Sequence, residues 1–268
     1  MYYLTSCSIV KNEDNYIDDF VKIHKFLGVE FFLFFDRSDN PLSERFKGRS
    51  DIQVIHFPEP NRHAHAWAEG VKFFQGKTHW VQFIDIDQVT VPMKTSDIKV
   101  MLQDYESYAS LGLNWHSFGY NGRETEPEPG ISTYEAYTKR AMNIAPSDWN
   151  PACIFPNNHI QSIVQVDRAD TRMWLDPHHP ILLPNHFQVN EKKQYIRGPF
   201  NVPPSQEIGF IAHYYTRSRE YWMKKCAKLR ADTGTQGGLP EQFDHHQLYM
   251  NVVEDLTVKN IWDKAKNT

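Results

Sequence analysis

Asp85 and Asp87 stand two residues apart in Phe83-Ile-Asp85-Ile-Asp87, at the end of an apolar run that reads as a strand. In an extended chain residues i and i+2 point the same way, so both carboxylates can reach one cation. Hard oxygen ligands suit Mn2+ or Mg2+, and such an ion can bridge a diphosphate. The plainer reading is a polar strand end with two solvated carboxylates. Asp36 closes a second apolar run, and Lys11-Asn12-Glu13 follows another. Ligands of open α/β sheets bind beyond the carboxyl ends of the strands, so these residues are expected at one rim. Asn12 also reads as the N-cap of the helix that follows it.

These residues need elements to position them. Tyr3 to Val10, Val29 to Phe35, Ile52 to Phe57 and Trp80 to Ile84 are β-prone apolar runs. Between them, Glu13 to Leu27 and Arg62 to Phe74 carry apolar residues at helical spacing, and Gly28 reads as a helix stop. Strands alternating with helices predict an α/β fold, with a mostly parallel central sheet flanked by helices. Further on, the pattern predicts helices at Asp97 to Asp104, Glu220 to Lys228 and Gln247 to Asp255. It predicts strands at Ser107 to Leu113, Ser162 to Val166 and Ile181 to Leu183, with loops at Arg123 to Gly130 and Asp232 to Pro240. With no repeat and no low-complexity linker, residues 1–268 read as one domain with a loop-rich second half.

Composition narrows the function. With 29 Lys+Arg against 33 Asp+Glu the formal charge is −4, which speaks against nucleic acid as a partner. There is no GxGxxG after the first strand, no GxxxxGK[ST], no HExxH and no GxSxG. Cys7, Cys153 and Cys226 are scattered and odd in number, as expected for free thiols in a reducing compartment. The first ten residues lack the pattern of a secretory signal, and no run approaches the ~20 apolar residues of a membrane span. A cytoplasmic location is therefore expected. The basic stripe of Lys224, Lys225, Lys228 and Arg230 reads as a solvated helix face, or as a peripheral contact at the inner face of a membrane.

The 13 histidines and 37 aromatics offer further candidates (17 Phe, 13 Tyr, 7 Trp). Adjacent residues on a strand face apart, so His178 and His179 are not expected to share an ion. One of them, His179 by preference, is a candidate contact for an acceptor. His245 and His246 are read the same way. His63 and His65 diverge on a helix, and His24 on an apolar face reads as a core histidine. Trp115 and Phe118 read equally well as sugar-stacking rings or as core.

Several blocks resemble the family-2-like and family-92-like glycosyltransferases. They are Ser8-Ile-Val-Lys-Asn-Glu13, then His24 with Gly28-Val-Glu-Phe-Phe32, then Phe35-Asp36-Arg-Ser-Asp39, then Trp80 to Asp87 with Pro92. Leu113 to Gly119 with Gly122, then Ile211-Ala-His-Tyr-Tyr-Thr-Arg-Ser218 with Glu220 and Lys224, and finally Asn251 to Asp255 follow in the family's order. The resemblance implies a GT-A fold, with residues 1–105 binding the nucleotide and residues 106–268 the acceptor. It implies a sugar moved from a nucleotide diphosphate donor to a glycan or glycoconjugate, with inversion and in polysaccharide biosynthesis. Asp85 and Asp87 match its metal–diphosphate motif, His213 a histidine that completes the metal site, and Asp36 the position that meets the nucleoside. Two positions depart from the pattern: Gln88 stands where Glu often follows the second Asp, and Arg217 replaces a Lys.

The implied chemistry distributes roles. A departing phosphate gains charge that a divalent ion offsets. Arg217, Lys224 and Lys11 are candidates to add positive charge there. An inverting enzyme takes the acceptor proton with a carboxylate. Glu135, which looks like a family Glu, and Asp176 both remain open for that role. Rival readings are a metal-dependent nucleotidyltransferase or phosphohydrolase using the same Asp pair, or a non-catalytic carbohydrate-binding module.

Overall fold

A computed structural model describes residues 1–57, 63–150, 155–172, 174, 176–227 and 239–268. The apolar runs of the first half become strands β1 (Tyr2–Val10), β2 (Phe31–Asp36), β3 (Ile52–His56) and β4 (Thr78–Phe83). Helix α1 (Ile17–Phe26), the short α2 (Leu42–Arg45) and α3 (His63–Phe74) alternate with them. After these come β5 (Gln88–Pro92), α4 (Ile98–Gln103), β6 (Ser110–Ser117), the one-turn α5 (Thr133–Ala136) and β7 (Lys139–Arg140). The chain closes with β8 (Ile160–Gln165), β9 (Gln188–Val189), β10 (Gly209–His213), α6 (Arg219–Cys226), α7 (Gln242–Met250), β11 (Val253–Glu254) and α8 (Thr257–Ala265).

The main sheet runs β3-β2-β1-β4-β8-β6-β10-β5, with β9 beside β6. Strands β1 to β4 pair in parallel, and β6 pairs in parallel with β10. Only β8 and β5 reverse direction. The carboxyl ends of β1, β2, β3, β4, β6 and β10 therefore share one rim. The sheet curls: Thr90 of β5 donates its hydroxyl to Gln82 of β4 at 2.9 Å, although three strands lie between them in the order. β4 pairs with β8 and β5 with β10, so residues 1–105 and 106–268 interleave in one sheet.

Period-2 packing explains why β2 is apolar throughout. Phe32 and Phe34 enter the core cluster with α1, whereas Leu33 and Phe35 enter the one with α3. On α1, Ile17, Phe20, Val21, Ile23 and His24 form the buried face. At the helix end Gly28 has φ 102°, and a Cβ there would lie 2.2 Å from Asp97 Oδ1, so only glycine fits. As expected for a core histidine, His24 is fully buried and its Nδ1 donates to Phe20 O at 2.9 Å.

Some expectations are corrected. Asn12 does not cap α1, whose N-cap is Tyr16; it sits at φ 56° and bridges to Asp39 instead. The helix expected over Gln247 to Asp255 stops at Met250, and Val253–Glu254 pairs with β7. Ile181 to Leu183 forms only an isolated bridge from Leu182 to Ala169. β6 starts later than expected and runs on to Ser117, because β8 and β10 flank it on both sides. Pattern reading had not marked β5, β10 or α8. Cys7 and Cys226 are free and buried, while Cys153, Lys228, Arg230 and most of the Asp232 to Pro240 loop lie outside the described residues.

Candidate active site

The turn Ile84–Asp87 links β4 to β5 at the rim. Gln88 braces it: its side-chain oxygen accepts from Asp85 N at 3.2 Å, and its own N–H donates to Asp85 O at 3.1 Å. The amide at position 88 thus does the holding that the departure from Glu left open. Asp85 and Asp87 then turn to different partners. Asp85 Oδ1 lies 3.3 Å from His63 Nε2, and Asp87 Oδ1 lies 3.4 Å from His213 Nε2. Tyr214 N donates to Asp87 O at 2.8 Å, which ties the turn to the end of β10.

Asp87 is almost buried and lies among cations. Burial would raise its pKa, but Lys225, His213 and Arg217 together hold it well below the usual carboxylate range. Lys225 Nζ stands 3.4 Å from Asp87 Oδ2. The sequence had pointed to Lys224, which instead pairs with Glu220 at 2.6 Å on the solvent face of α6. The i,i+4 spacing of Glu220 and Lys224 was the available signal, since such a pair closes on itself. Asp87 Oδ1 is buried and has no hydrogen-bond partner among the described residues.

Arg217 is 1% exposed. Its guanidinium lies 3.6 Å from the ring centre of Tyr16 and 4.5 Å from that of Tyr221. Nη1 donates to Glu13 Oε2 at 3.2 Å. Burial raises the Glu13 pKa despite Arg217. Glu13 is thus the counter-charge that lets an arginine sit in this position, rather than a ligand facing outward.

The other rim residues are mostly struts. Asp36 accepts from Ser38 N at 2.9 Å and from Leu42 N at 2.7 Å, so both its oxygens hold the loop into α2. Asn12 ties the end of β1 to the loop after β2 through Asp39. Lys11 is half-buried beside it and makes no ion pair among the described residues. Glu135 completes a capping box on α5, accepting from Ser132 N at 3.1 Å, and Lys266 lies 2.6 Å from its other oxygen. Its pKa is lowered: burial would raise it, but Lys266 and the Ser132 N–H prevail.

On the far side of the rim, Trp115 is a hub. Its ring centre lies 4.2 Å from that of His213, 4.6 Å from His159 and 5.2 Å from His178. The sequence had favoured His179, but it is His178 that faces Trp115. His179 bonds toward the Ile196 backbone, and burial lowers its pKa. Asp176 Oδ1 accepts from His178 N at 2.8 Å, shaping the same turn. Phe118 is corrected: it is 1% exposed, stacks on Tyr214 at 4.6 Å, and so has no ring face to offer a sugar.

As expected, His63 and His65 part company, with His65 beside Glu69 at 3.8 Å. His245 sits by Trp149 and His246 by Trp222. The contacts of His63, Lys225 and Gln161 with the rim were not legible in the sequence, because each partner is remote along the chain. Among the described residues, no three His, Cys, Asp or Glu side chains converge on one point. No helix there is long and apolar enough to cross a membrane.

The fold and the rim define an α/β protein with a carboxylate–histidine pair, backed by cations, at the strand ends. Residues 2–233 match the model of glycosyltransferase family 92, and the chain belongs to that family. A family 92 protein of Ricinus communis is 22% identical over 235 residues, covering 80% of this chain and 35% of the relative. One from Oryza sativa subsp. japonica is 23% identical over 216 residues, 78% of this chain and 32% of the relative. One from Arabidopsis thaliana is 23% identical over 234 residues, 79% and 35% respectively. The chain thus spans about a third of the length of the curated relatives it matches. Among solved structures, the 4-diphosphocytidyl-2C-methyl-D-erythritol synthase of Anaerococcus prevotii overlaps at TM-score 0.34 with 8% identity, covering 62% of this chain and 71% of that one. That overlap is too loose to carry an argument.

Proposed function

We propose that the rim around Asp85, Asp87 and His213 binds a nucleoside diphosphate sugar together with Mn2+ or Mg2+. The sugar passes with inversion to a hydroxyl of a glycan or glycoconjugate, as in polysaccharide assembly. The observation that carries this reading is the pair Asp87 Oδ1 and His213 Nε2, 3.4 Å apart, with the Asp87 oxygen buried and lacking a hydrogen bond among the described residues. A carboxylate oxygen and an imidazole nitrogen suit Mn2+ in particular, and Asp85 follows in the same turn. Asp87 and His213 would hold the ion, with Asp85 beside them. When bound, the ion offsets the charge that develops on the departing diphosphate.

The chain's own groups do the rest. Lys225, whose Nζ also donates to Tyr215 O at 3.0 Å, adds a positive charge beside Asp87. Arg217 is fixed by two tyrosine rings and Glu13, so its charge is aimed before any ligand arrives. Gln88 keeps the Asp85–Asp87 turn in one shape.

Calorimetric titration of UDP and of GDP, with and without Mn2+, tests the reading. Metal-dependent binding of one nucleotide is expected in the wild type, and its loss in Asp87→Asn. If neither nucleotide binds with any metal, or if Asp87→Asn binds as the wild type does, the reading fails.

A further inference from the structure

We infer that Glu126 is the positioning residue that fixes Arg217 at the rim, an inference that rests on the glycosyl-transfer reading above. Tyr16, Asp87 and Arg217 line one small cavity, so Arg217 borders the place proposed for the diphosphate. Its ion pair is with Glu13, and Glu126 makes none with it among the described residues. Glu126, from the loop before α5, holds what surrounds Arg217 instead.

One carboxylate reaches both tyrosine rings that frame the guanidinium. Tyr16 donates its hydroxyl to Glu126 Oε2, and its ring centre lies 3.6 Å from the guanidinium carbon. Burial pushes the Tyr16 phenol up, so it keeps the proton that it donates. Ser218 donates its hydroxyl to Glu126 Oε1. A carboxylate only accepts, so the Ser218 proton points at Glu126 and its oxygen is left to accept. Tyr221 N donates to that oxygen at 3.0 Å, which sets the first turn of α6 and with it the second ring. Glu126 is itself anchored. Its N donates to Glu220 Oε2 at 3.1 Å, while Arg219 N and Glu220 N donate to Arg123 O at 3.2 Å and Glu124 O at 2.9 Å.

Arg217 needs this support. Its φ is 45°, in the left-handed region that a residue with a Cβ seldom enters. The next residue along the chain is Ser218, which Glu126 grips directly. Without Glu126, the ring over the guanidinium and the backbone beside it are released together. An arginine charge that is already aimed does most when charge develops on the departing diphosphate, so its loss falls on kcat rather than on donor binding. Glu126 acts through Tyr16 and Ser218 and touches no reacting atom.

The test uses the full chain with UDP-glucose, UDP-galactose, UDP-N-acetylglucosamine and GDP-mannose as donors, and methyl glycosides as acceptors. Glu126→Ala is expected to lower kcat by about 10- to 100-fold, with the donor KM changed less than about threefold. Glu126→Gln, whose amide oxygen can accept from one of the two hydroxyls, falls between. Tyr16→Phe keeps the ring but not the bond to Glu126 and also lowers kcat, so it carries the test should Glu126→Ala fail to fold. On an Arg217→Lys background, adding Glu126→Ala changes kcat by less than about twofold. Side-chain 1H–15N spectra read the same link without turnover. The Arg217 Nε–H signal, identified by its loss in Arg217→Lys, is displaced by the Tyr16 ring, and Glu126→Ala moves it. Wild-type kcat in Glu126→Ala and Tyr16→Phe overturns the inference, as do a loss carried by KM alone, full additivity with Arg217→Lys, or an unmoved Arg217 signal. A wild type that transfers from none of the donors overturns the glycosyl-transfer reading instead, and the Arg217 signal then decides whether Glu126 sets that side chain.

Discussion

Arg217 Nη1 donates to Glu13 Oε2 at 3.2 Å, joining the loop after β10 to the loop after β1. Both groups are largely withdrawn from water, so the pair matters chiefly through what happens when one partner is removed. Arg217→Ala leaves the largely buried Glu13 carboxylate without its cation, keeping only the Tyr221 hydroxyl at 3.4 Å among the described residues, and a loss of about 3 kcal/mol is expected from urea unfolding midpoints. Arg217→Lys keeps the charge but not the flat stacking between Tyr16 and Tyr221, and should fall between the two. An Arg217→Ala midpoint equal to the wild type would overturn this account.

Adjacent lysines should behave differently. Lys224 is exposed and pairs with Glu220, so Lys224→Ala should leave both stability and nucleotide binding essentially unchanged. Lys225 neighbours Asp87, and Lys225→Ala should weaken UDP or GDP binding about tenfold, or about 1.4 kcal/mol. Calorimetry on the two variants decides, and equal effects would refute the assignment.

Gly119 marks where two remote blocks dock. A Cβ there would lie 2.5 Å from Asn251 Oδ1 and 2.6 Å from Met250 O. Asn251 Oδ1 also accepts from Asn121 N at 2.9 Å, so it is not free to move away. Gly119→Ala should cost about 1–3 kcal/mol through overpacking. Gly122, where nothing lies within 4 Å of a Cβ, is a control for contact though not for its φ of 77°.

Acid should destabilise the protein through its buried histidines. Burial lowers His24 from 6.5 to about 4, despite the Phe20 carbonyl. Between those values the unfolded chain binds a proton that the folded chain refuses, so stability falls as pH falls from 6.5 toward 4. The His24 share is about 3 kcal/mol when complete, and about 2 kcal/mol by pH 5. His159 and His246, also lowered to about 4 mainly by burial, act in the same direction. Urea unfolding at pH 7 and pH 5 should show His24→Leu losing about 2 kcal/mol less than the wild type. Equal losses would refute it.

Local periodicity was enough for β1, β2, β4, α1 and α3, because each buries a face whose spacing is written in consecutive residues. The Asp85–Asp87 turn was equally legible, since two carboxylates closing an apolar strand need no tertiary partner to be noticed. Short elements such as β5 and β10 were not, because a run of five residues fits several conformations until a neighbouring strand selects one.

By itself, the sequence determined the α/β alternation of the first half and the residues offered at the strand ends. Tertiary structure alone decided which of them meet. His213 reaches Asp87 because β10 and β5 pair His213 with Gln88, and His63 reaches Asp85 because α3 packs beside β4. Lys225 rather than Lys224 faces the rim because one residue changes direction by about 100° on a helix, and His178 rather than His179 faces Trp115 because Asp176 to His179 close a turn instead of the extended chain that local pattern suggests. That choice depends on what the element packs against, which no local pattern contains.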